Sequence, residues 1–185
     1  CKTTDKGKKL EGGYCVVELC RFYGNEDTGL QQGFGKDDKG NNTRNTEFKD
    51  GRFNIIVNCD AYDNHDPWTN GGNADGFAIK LFPGPGNEFH GCRAWHNSDD
   101  GWDLYYTVFP IVVDNCWCLN NGFDKGNANG FKMGGCKQGG TSTGAHVFKN
   151  CIAAFHAKKG FDQNHHREAS SLSCPPWLSR QPEQH

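Results

Sequence analysis

One short frame recurs along this chain: a glycine, then a large apolar residue, then a residue that varies. It reads Asp75-Gly76-Phe77-Ala78, Asp100-Gly101-Trp102-Asp103 and Asn129-Gly130-Phe131-Lys132, with weaker copies at Thr28-Gly29-Leu30-Gln31 and Lys159-Gly160-Phe161-Asp162. The frame glycines lie 47, 25, 29 and 30 residues apart. A cysteine precedes each frame (Cys20, Cys59, Cys92, Cys116 and Cys151), and Asn58, Asn115 and Asn150 stand directly before three of them. Short apolar runs such as Ile55-Ile56-Val57 and Ile111-Val112-Val113 come just ahead. Landmarks in fixed order at such a period mark a solenoid, in which each repeat buries its apolar face against its neighbours.

Composition decides what the repeat is made of. The chain holds 25 Gly and a single Met, with many Asn-Gly, Asp-Gly and Gly-Gly pairs, so helix propensity is poor and turn chemistry abundant. The β-branched and aromatic runs are short, which suits strands. An all-β fold is expected: a right-handed parallel β-helix of about five rungs, with neighbouring strands ~4.8 Å apart. Its narrow core tolerates a hydrophobic content of only 35%. Alternation along each strand then assigns faces. Phe77, Trp102, Phe131 and Phe161 point inward as a stack, joined by Ile79, Leu104 and Met133. Ala78, Asp103, Lys132 and Asp162 point outward, one above another, and Asp75 and Asp100 become stacked neighbours.

The expected organisation is one β-helix domain over residues 1–168 and an irregular or disordered tail over 169–185, where Pro175-Pro176 follows the loss of the repeat. The polar stretch from Gly33 to Gly51 lengthens the first interval and reads as an inserted surface loop; it carries a glycosylation sequon at Asn41-Asn42-Thr43. A net charge of −2 provides no general field for nucleic acid, and nothing resembles a membrane span, so neither partner is expected. A monomer is expected. Of the ten cysteines, the five repeat positions read as small buried hydrophobes, with disulfides (Cys116 to Cys118, Cys1 to Cys15) as the alternative. No paired CxxC motifs point to zinc.

The outer face carries the chemistry. Asp75, Asp99, Asp100 and Asp103 are candidate Ca2+ ligands, because calcium takes six to eight hard oxygen ligands and close carboxylates repel without a cation. The competing reading is that Asp-Gly pairs are only turns. Lys132 is the candidate base, although an exposed strand lysine is usually a solvated charge. A base beside a calcium site suits a uronate, whose C5 proton lies next to the carboxylate; its abstraction would expel the C4 oxygen by β-elimination. Arg52, Arg93, Lys80, Lys158 and Lys159 are candidates for binding an anionic polymer on charge alone, each with an ordinary surface role as the simpler reading. His165-His166 lacks ligand spacing.

The stretches Gly71-Gly-Asn-Ala-Asp-Gly-Phe-Ala78, Phe89-His-Gly-Cys-Arg-Ala-Trp-His-Asn-Ser-Asp-Asp-Gly-Trp-Asp103 and Asn129-Gly-Phe-Lys-Met-Gly-Gly135 resemble the family 9 polysaccharide lyases. The match continues from Asn150-Cys151 through Gly160-Phe-Asp-Gln-Asn164 and covers about residues 14–168. The resemblance implies a right-handed parallel β-helix, calcium-dependent pectate lyase activity on polygalacturonate (the acidic polysaccharide of pectin), and secretion to the extracellular space. It implies calcium binding by Asp75, Asp99, Asp100 and Asp103, and a base at Lys132. Family members carry more rungs than the five counted here, so the domain is expected to be incomplete. Three alternatives stay open: a non-catalytic calcium-dependent pectin-binding module, a uronan C5-epimerase, and an inverting hydrolase.

Overall fold

The computed structural model describes residues 8–10, 13–33, 51–135, 144–164 and 171–173. Within them, seventeen short strands pair only in parallel and form three sheets. The first, here the site sheet, runs in the order Lys8–Leu10, Leu30–Gln32, Phe77–Ile79, Trp102–Asp103, Phe131–Lys132, Phe161–Asp162. The second stacks Val16–Glu18, Ile55–Val57, Asn87–His90, Ile111–Asp114, Val147–Lys149 and Ser171–Ser173. The third stacks Arg21–Tyr23, Asp60–Tyr62, Arg93–Trp95, Trp117–Leu119 and Ile152–Ala154. Each rung passes through the second, third and site sheets in turn, then returns by a loop. This is the expected right-handed parallel β-helix.

The register follows the frame. Leu30, Phe77, Trp102, Phe131 and Phe161 are successive partners, and so are Gln31, Ala78, Asp103, Lys132 and Asp162. The rings stack through the core with centroids 4.8, 4.8 and 5.0 Å apart from Phe77 to Phe161. Ile79, Leu104 and Met133 are buried beside them. Such offset contacts add about 0.5–1.5 kcal/mol each beyond area burial.

Two kinds of turn hold the rungs. Asn58, Asn115 and Asn150 bend the chain from the second sheet into the third, each in the left-handed region (φ 49°, 54° and 52°). Asparagine tolerates that region better than other side-chain-bearing residues, which explains its place before the cysteines. The frame glycines have a different reason. A Cβ on Gly101 would lie 2.6 Å from the Gly130 carbonyl oxygen and 2.9 Å from Cys118 Cβ, so close approach between rungs, not a positive φ, excludes any side chain there.

The turn from the third sheet into the site sheet is tied by a buried asparagine ladder. Asn25 Nδ2 donates to Asn64 Oδ1, Asn64 Nδ2 to Asn97 Oδ1 and Asn97 Nδ2 to Asn121 Oδ1, at 2.7, 2.7 and 2.9 Å. His156 ends the ladder, with its Nδ1 accepting the Asn121 N–H at 3.2 Å. Burial holds the His156 imidazole below its ordinary pKa, which favours the neutral ring that this acceptor role needs.

Cys59, Cys92 and Cys116 are buried and unbridged, and Cys15, Cys20, Cys118 and Cys151 are also free thiols. No Cys116–Cys118 disulfide forms. Cys1, Cys136 and Cys174, the loop over 34–50 with its sequon, His165-His166 and residues 174–185 of the tail lie outside the described residues. Within 169–185 the one described segment, Ser171–Ser173, pairs with Val147–Lys149. Among the described residues no helix is long and apolar enough to cross a membrane.

Candidate active site

The site grows from the outward column of the site sheet and the turn that feeds it. The asparagine ladder fixes Asn97, and Ser98, Asp99 and Asp100 follow directly. The Asp100 N–H donates to Asp75 Oδ1 at 3.2 Å, locking the two Asp-Gly turns one above the other. Asp103 stands on the next strand, level with Ala78 below and Lys132 above.

Asp75, Asp100 and Asp103 converge. One oxygen from each lies within 4.8 Å of the others, and no other set of three His, Cys, Asp or Glu side chains does this among the described residues. Asp99 is positioned differently. Its Oδ2 accepts the Asn73 N–H at 2.8 Å and its Oδ1 accepts the Asn127 N–H, so its carboxylate fastens two loops while lining the same cleft.

The outward column is not solvated. Asp75, Asp100, Asp103 and Lys132 are all buried. The cleft above them, of about 320 Å³, is walled by Asn73, Leu81, Asp99, Tyr105 and Asn127. Lys132 Nζ lies 3.2 Å from Asp103 Oδ1 and 3.3 Å from Asp100 Oδ2, and 5.6 Å from the centroid of the Tyr105 ring. Asp162, the register neighbour above, instead pairs with Lys159 at 2.7 Å.

A second lysine completes the cluster. Lys80 Nζ lies 2.7 Å from Asp75 Oδ2 and 3.2 Å from Asp103 Oδ2. Its simpler sequence reading, an ordinary surface charge, is overturned by its burial at 8% exposure. Strand alternation carried the signal, since Lys80 lies two residues beyond the outward Ala78. Of the other basic candidates, Arg93 forms a two-pronged pair with Asp60 on the third sheet, and Lys158 reaches the Gly126 carbonyl.

The electrostatics follow from burial and crowding. Burial, followed by repulsion from Asp99 and Asp103, pushes Asp100 up to about 7 despite Lys132. Burial likewise raises Asp75 well above the usual carboxylate range. Burial acts the same way on Asp103, but Lys80 and Lys132 outweigh it and hold that carboxyl below its ordinary value. For Lys132, burial pulls downward, yet Asp103, Asp100 and Asp75 prevail and the ammonium is held on more tightly than usual. Lys80 is raised in the same way by Asp75 and Asp103.

The donor set fits a hard divalent cation. All three convergent groups are carboxylates, the type calcium prefers, and Asp100 Oδ2 is a buried oxygen that accepts no hydrogen bond. That oxygen has only the Lys132 ammonium nearby, at 3.3 Å, and an added cation would give it a direct partner and relieve the carboxylate repulsion that adds to burial in raising Asp75 and Asp100.

Comparison with known proteins adds three relatives. A family model described as a Pel9A-like, right-handed β-helix region matches residues 1–175. The chain is 39% identical over 166 residues to pectate lyase L of Dickeya dadantii (strain 3937), covering 86% of this chain and 35% of that protein. It is 43% identical over 166 residues to pectate lyase L of Thermoclostridium stercorarium, covering 84% of this chain and 12% of the relative. The crystal structure of pectate lyase Pel9A superposes with a TM-score of 0.77 at 37% identity, covering 90% of this chain and 39% of that one. The chain thus spans about a third or less of the length of these curated relatives.

Proposed function

The chain belongs to the Pel9A-like right-handed β-helix family, and on that premise we propose that it is a calcium-dependent pectate lyase, cleaving polygalacturonate by β-elimination with Lys132 as the base. The observation that carries this reading is the single buried cluster in which Asp75, Asp100 and Asp103 converge and Lys132 sits within 3.3 Å of two of them. The names of the relatives support the substrate class.

When bound, a calcium ion would offset the charge of Asp75, Asp100 and Asp103, with Asp99 at the cleft edge, and attract a uronate carboxylate, making its C5 proton more acidic. Lys132 would then take that proton. The electron pair left on C5 would form the C4–C5 double bond, the C4–O glycosidic bond would break, and the leaving oxygen would gain a proton from solvent. Lys132 can act this way only once neutral. Asp103 and Asp100 hold its proton on, so weakening their charge is what would make it a base. Tyr105 would form one wall of the substrate cleft. The proposed setting is extracellular, acting as a monomer on pectin.

The test is incubation with polygalacturonate, with calcium or with chelator, following the ultraviolet absorbance of an unsaturated uronide, alongside Lys132→Ala. Absorbance that rises only with calcium and only in the parent chain supports the reading. A folded chain that binds calcium and the polymer but forms no unsaturated product would instead be a binding module.

A further inference from the structure

Lys80 sits where the proposed metal would be held. Its ammonium touches two of the three convergent carboxylates, at 2.7 and 3.2 Å, distances only slightly longer than the ~2.3–2.6 Å of calcium to oxygen. Ala78, the outward residue level with Asp103, puts only a methyl group over the sheet beside it. Asp103 divides its oxygens: Oδ2 faces Lys80 and Oδ1 faces Lys132. The two lysines therefore have different attachments. Lys132 contacts Asp100 and Asp103, whereas among the described residues Lys80 is the ammonium in contact with Asp75, which is fully buried.

We propose that Lys80 is a resident cation of the site, holding Asp75 and Asp103 together in the metal-free chain, and that a divalent ion binds by displacing its ammonium into the cleft. This rests on the reading of Asp75, Asp100 and Asp103 as metal ligands. A divalent ion and an ammonium sharing the same two oxygens would repel strongly in a buried site, so only one of them can occupy it. The exit is short, since Lys80 already lines the cleft beside Leu81 and Tyr105. Lys80 thus sets the metal affinity: it keeps the empty site folded and weakens the ion's hold.

Two measurements test this without relying on activity. Calorimetric titration with calcium compares the parent with Lys80→Met, which removes the charge and keeps much of the length. The variant is expected to bind calcium at least tenfold more tightly and, without metal, to melt at a lower temperature. The second measurement uses the parent alone: brief acetylation of surface amines with peptide mass spectrometry, with and without calcium. Lys80 labelling is expected to rise severalfold when calcium is added, and this arm decides the matter should the variant fail to fold. Unchanged or weaker calcium binding by Lys80→Met, or Lys80 labelling that calcium does not alter, overturns the proposal while leaving the metal site standing. If parent and variant both ignore calcium, the metal reading itself falls, and the proposal with it.

Discussion

Asp103 and Lys132 lie on adjacent rungs, each the other's register partner, with carboxylate and ammonium 3.2 Å apart in a buried column. This pair gives the site both its order and its restraint. Asp103 positions the lysine, and in doing so keeps its proton in place. On the proposed reading of Lys132 as a base, the pair would stay inactive until something offsets the carboxylate charge.

The first prediction concerns the base. Lys132→Ala should lower the rate of unsaturated-uronide formation by about 10²–10⁴-fold, the usual contribution of a positioned general base. Calcium affinity should not fall, because Lys132 supplies no oxygen donor and its ammonium, on Asp100 and Asp103, opposes a cation there. Parallel rate measurement and calcium titration separate the two effects; equal losses in both would make Lys132 structural.

Asp100→Asn distinguishes folding from metal binding. Asp100 Oδ1 accepts from the Asn129 backbone N–H and from Asn129 Nδ2, two bonds that an amide oxygen can keep, whereas Oδ2 faces the Lys132 ammonium at 3.3 Å. The variant should therefore keep its backbone anchor but lose its ion pair with Lys132, melting a little below the parent without metal because Lys132 still has Asp103. Its calcium-induced rise in melting temperature should disappear. A large drop in metal-free stability would show that Asp100 is a structural anchor instead.

Metal and proton should compete for the same carboxylates. Asp100 is raised from 3.8 to about 7 and Asp75 is raised too, so in that window the folded chain holds protons that the unfolded chain has released. Stability of the metal-free chain from these groups must then fall as pH rises from about 4 to about 7. Asp103 is lowered, so its contribution is lost only on acidification below the usual carboxylate range. Lys80 and Lys132 are raised above 10.5 and contribute evenly across this window. The calcium-induced rise in melting temperature should therefore grow with pH across it, as scanning calorimetry with calcium or chelator would reveal. A rise independent of pH would contradict this account.

Gly101→Ala probes how closely the rungs approach. The new methyl would meet the Gly130 carbonyl and Cys118 Cβ below 3.0 Å, and both are backbone-fixed. A loss of about 1–3 kcal/mol is expected from such overpacking. Denaturant unfolding measures it; a neutral result would mean that the rungs part to admit the methyl and that close approach does not select glycine.

Strand alternation was enough to read the inward stack of Phe77, Trp102, Phe131 and Phe161 and the outward column beside it. The same rule places Lys80 outward, though its burial depends on contacts with Asp75 and Asp103 that no single position shows. The burial of that column was not legible, because its walls come from Asn73, Tyr105 and Asn127, on loops whose paths depend on distant contacts. An Asp-Asp pair likewise does not show which carboxylate gives both oxygens to the backbone; the loop amides of Asn73 and Asn127 take Asp99, whereas Asp100 gives only Oδ1. The asparagine ladder has no local signature in the sequence, because its members lie 39, 33 and 24 residues apart in an irregular series.

That ladder leads to the last prediction, which links fold to site. Asn97 is central: its Nδ2 donates to Asn121 Oδ1 and to the Ala61 carbonyl, and its Oδ1 accepts from Asn64 Nδ2. Asn97→Ala would take the acceptor from the Asn64 N–H and Nδ2 on the rung below, at about 1–3 kcal/mol for each one left unsatisfied, while Asn121 Oδ1 keeps only the Asn97 N–H. It would also loosen the turn that carries Asp99 and Asp100, so calcium affinity should fall together with stability. Asn25, at the end of the ladder, bonds to Asn64 alone within it and lies rungs away from Asp100. Asn25→Ala should therefore cost less stability and leave calcium affinity near the parent's. Melting curves and calcium titrations of the two variants decide the point. If Asn97→Ala weakens folding but leaves calcium affinity intact, the ladder supports the solenoid without positioning its acidic turn.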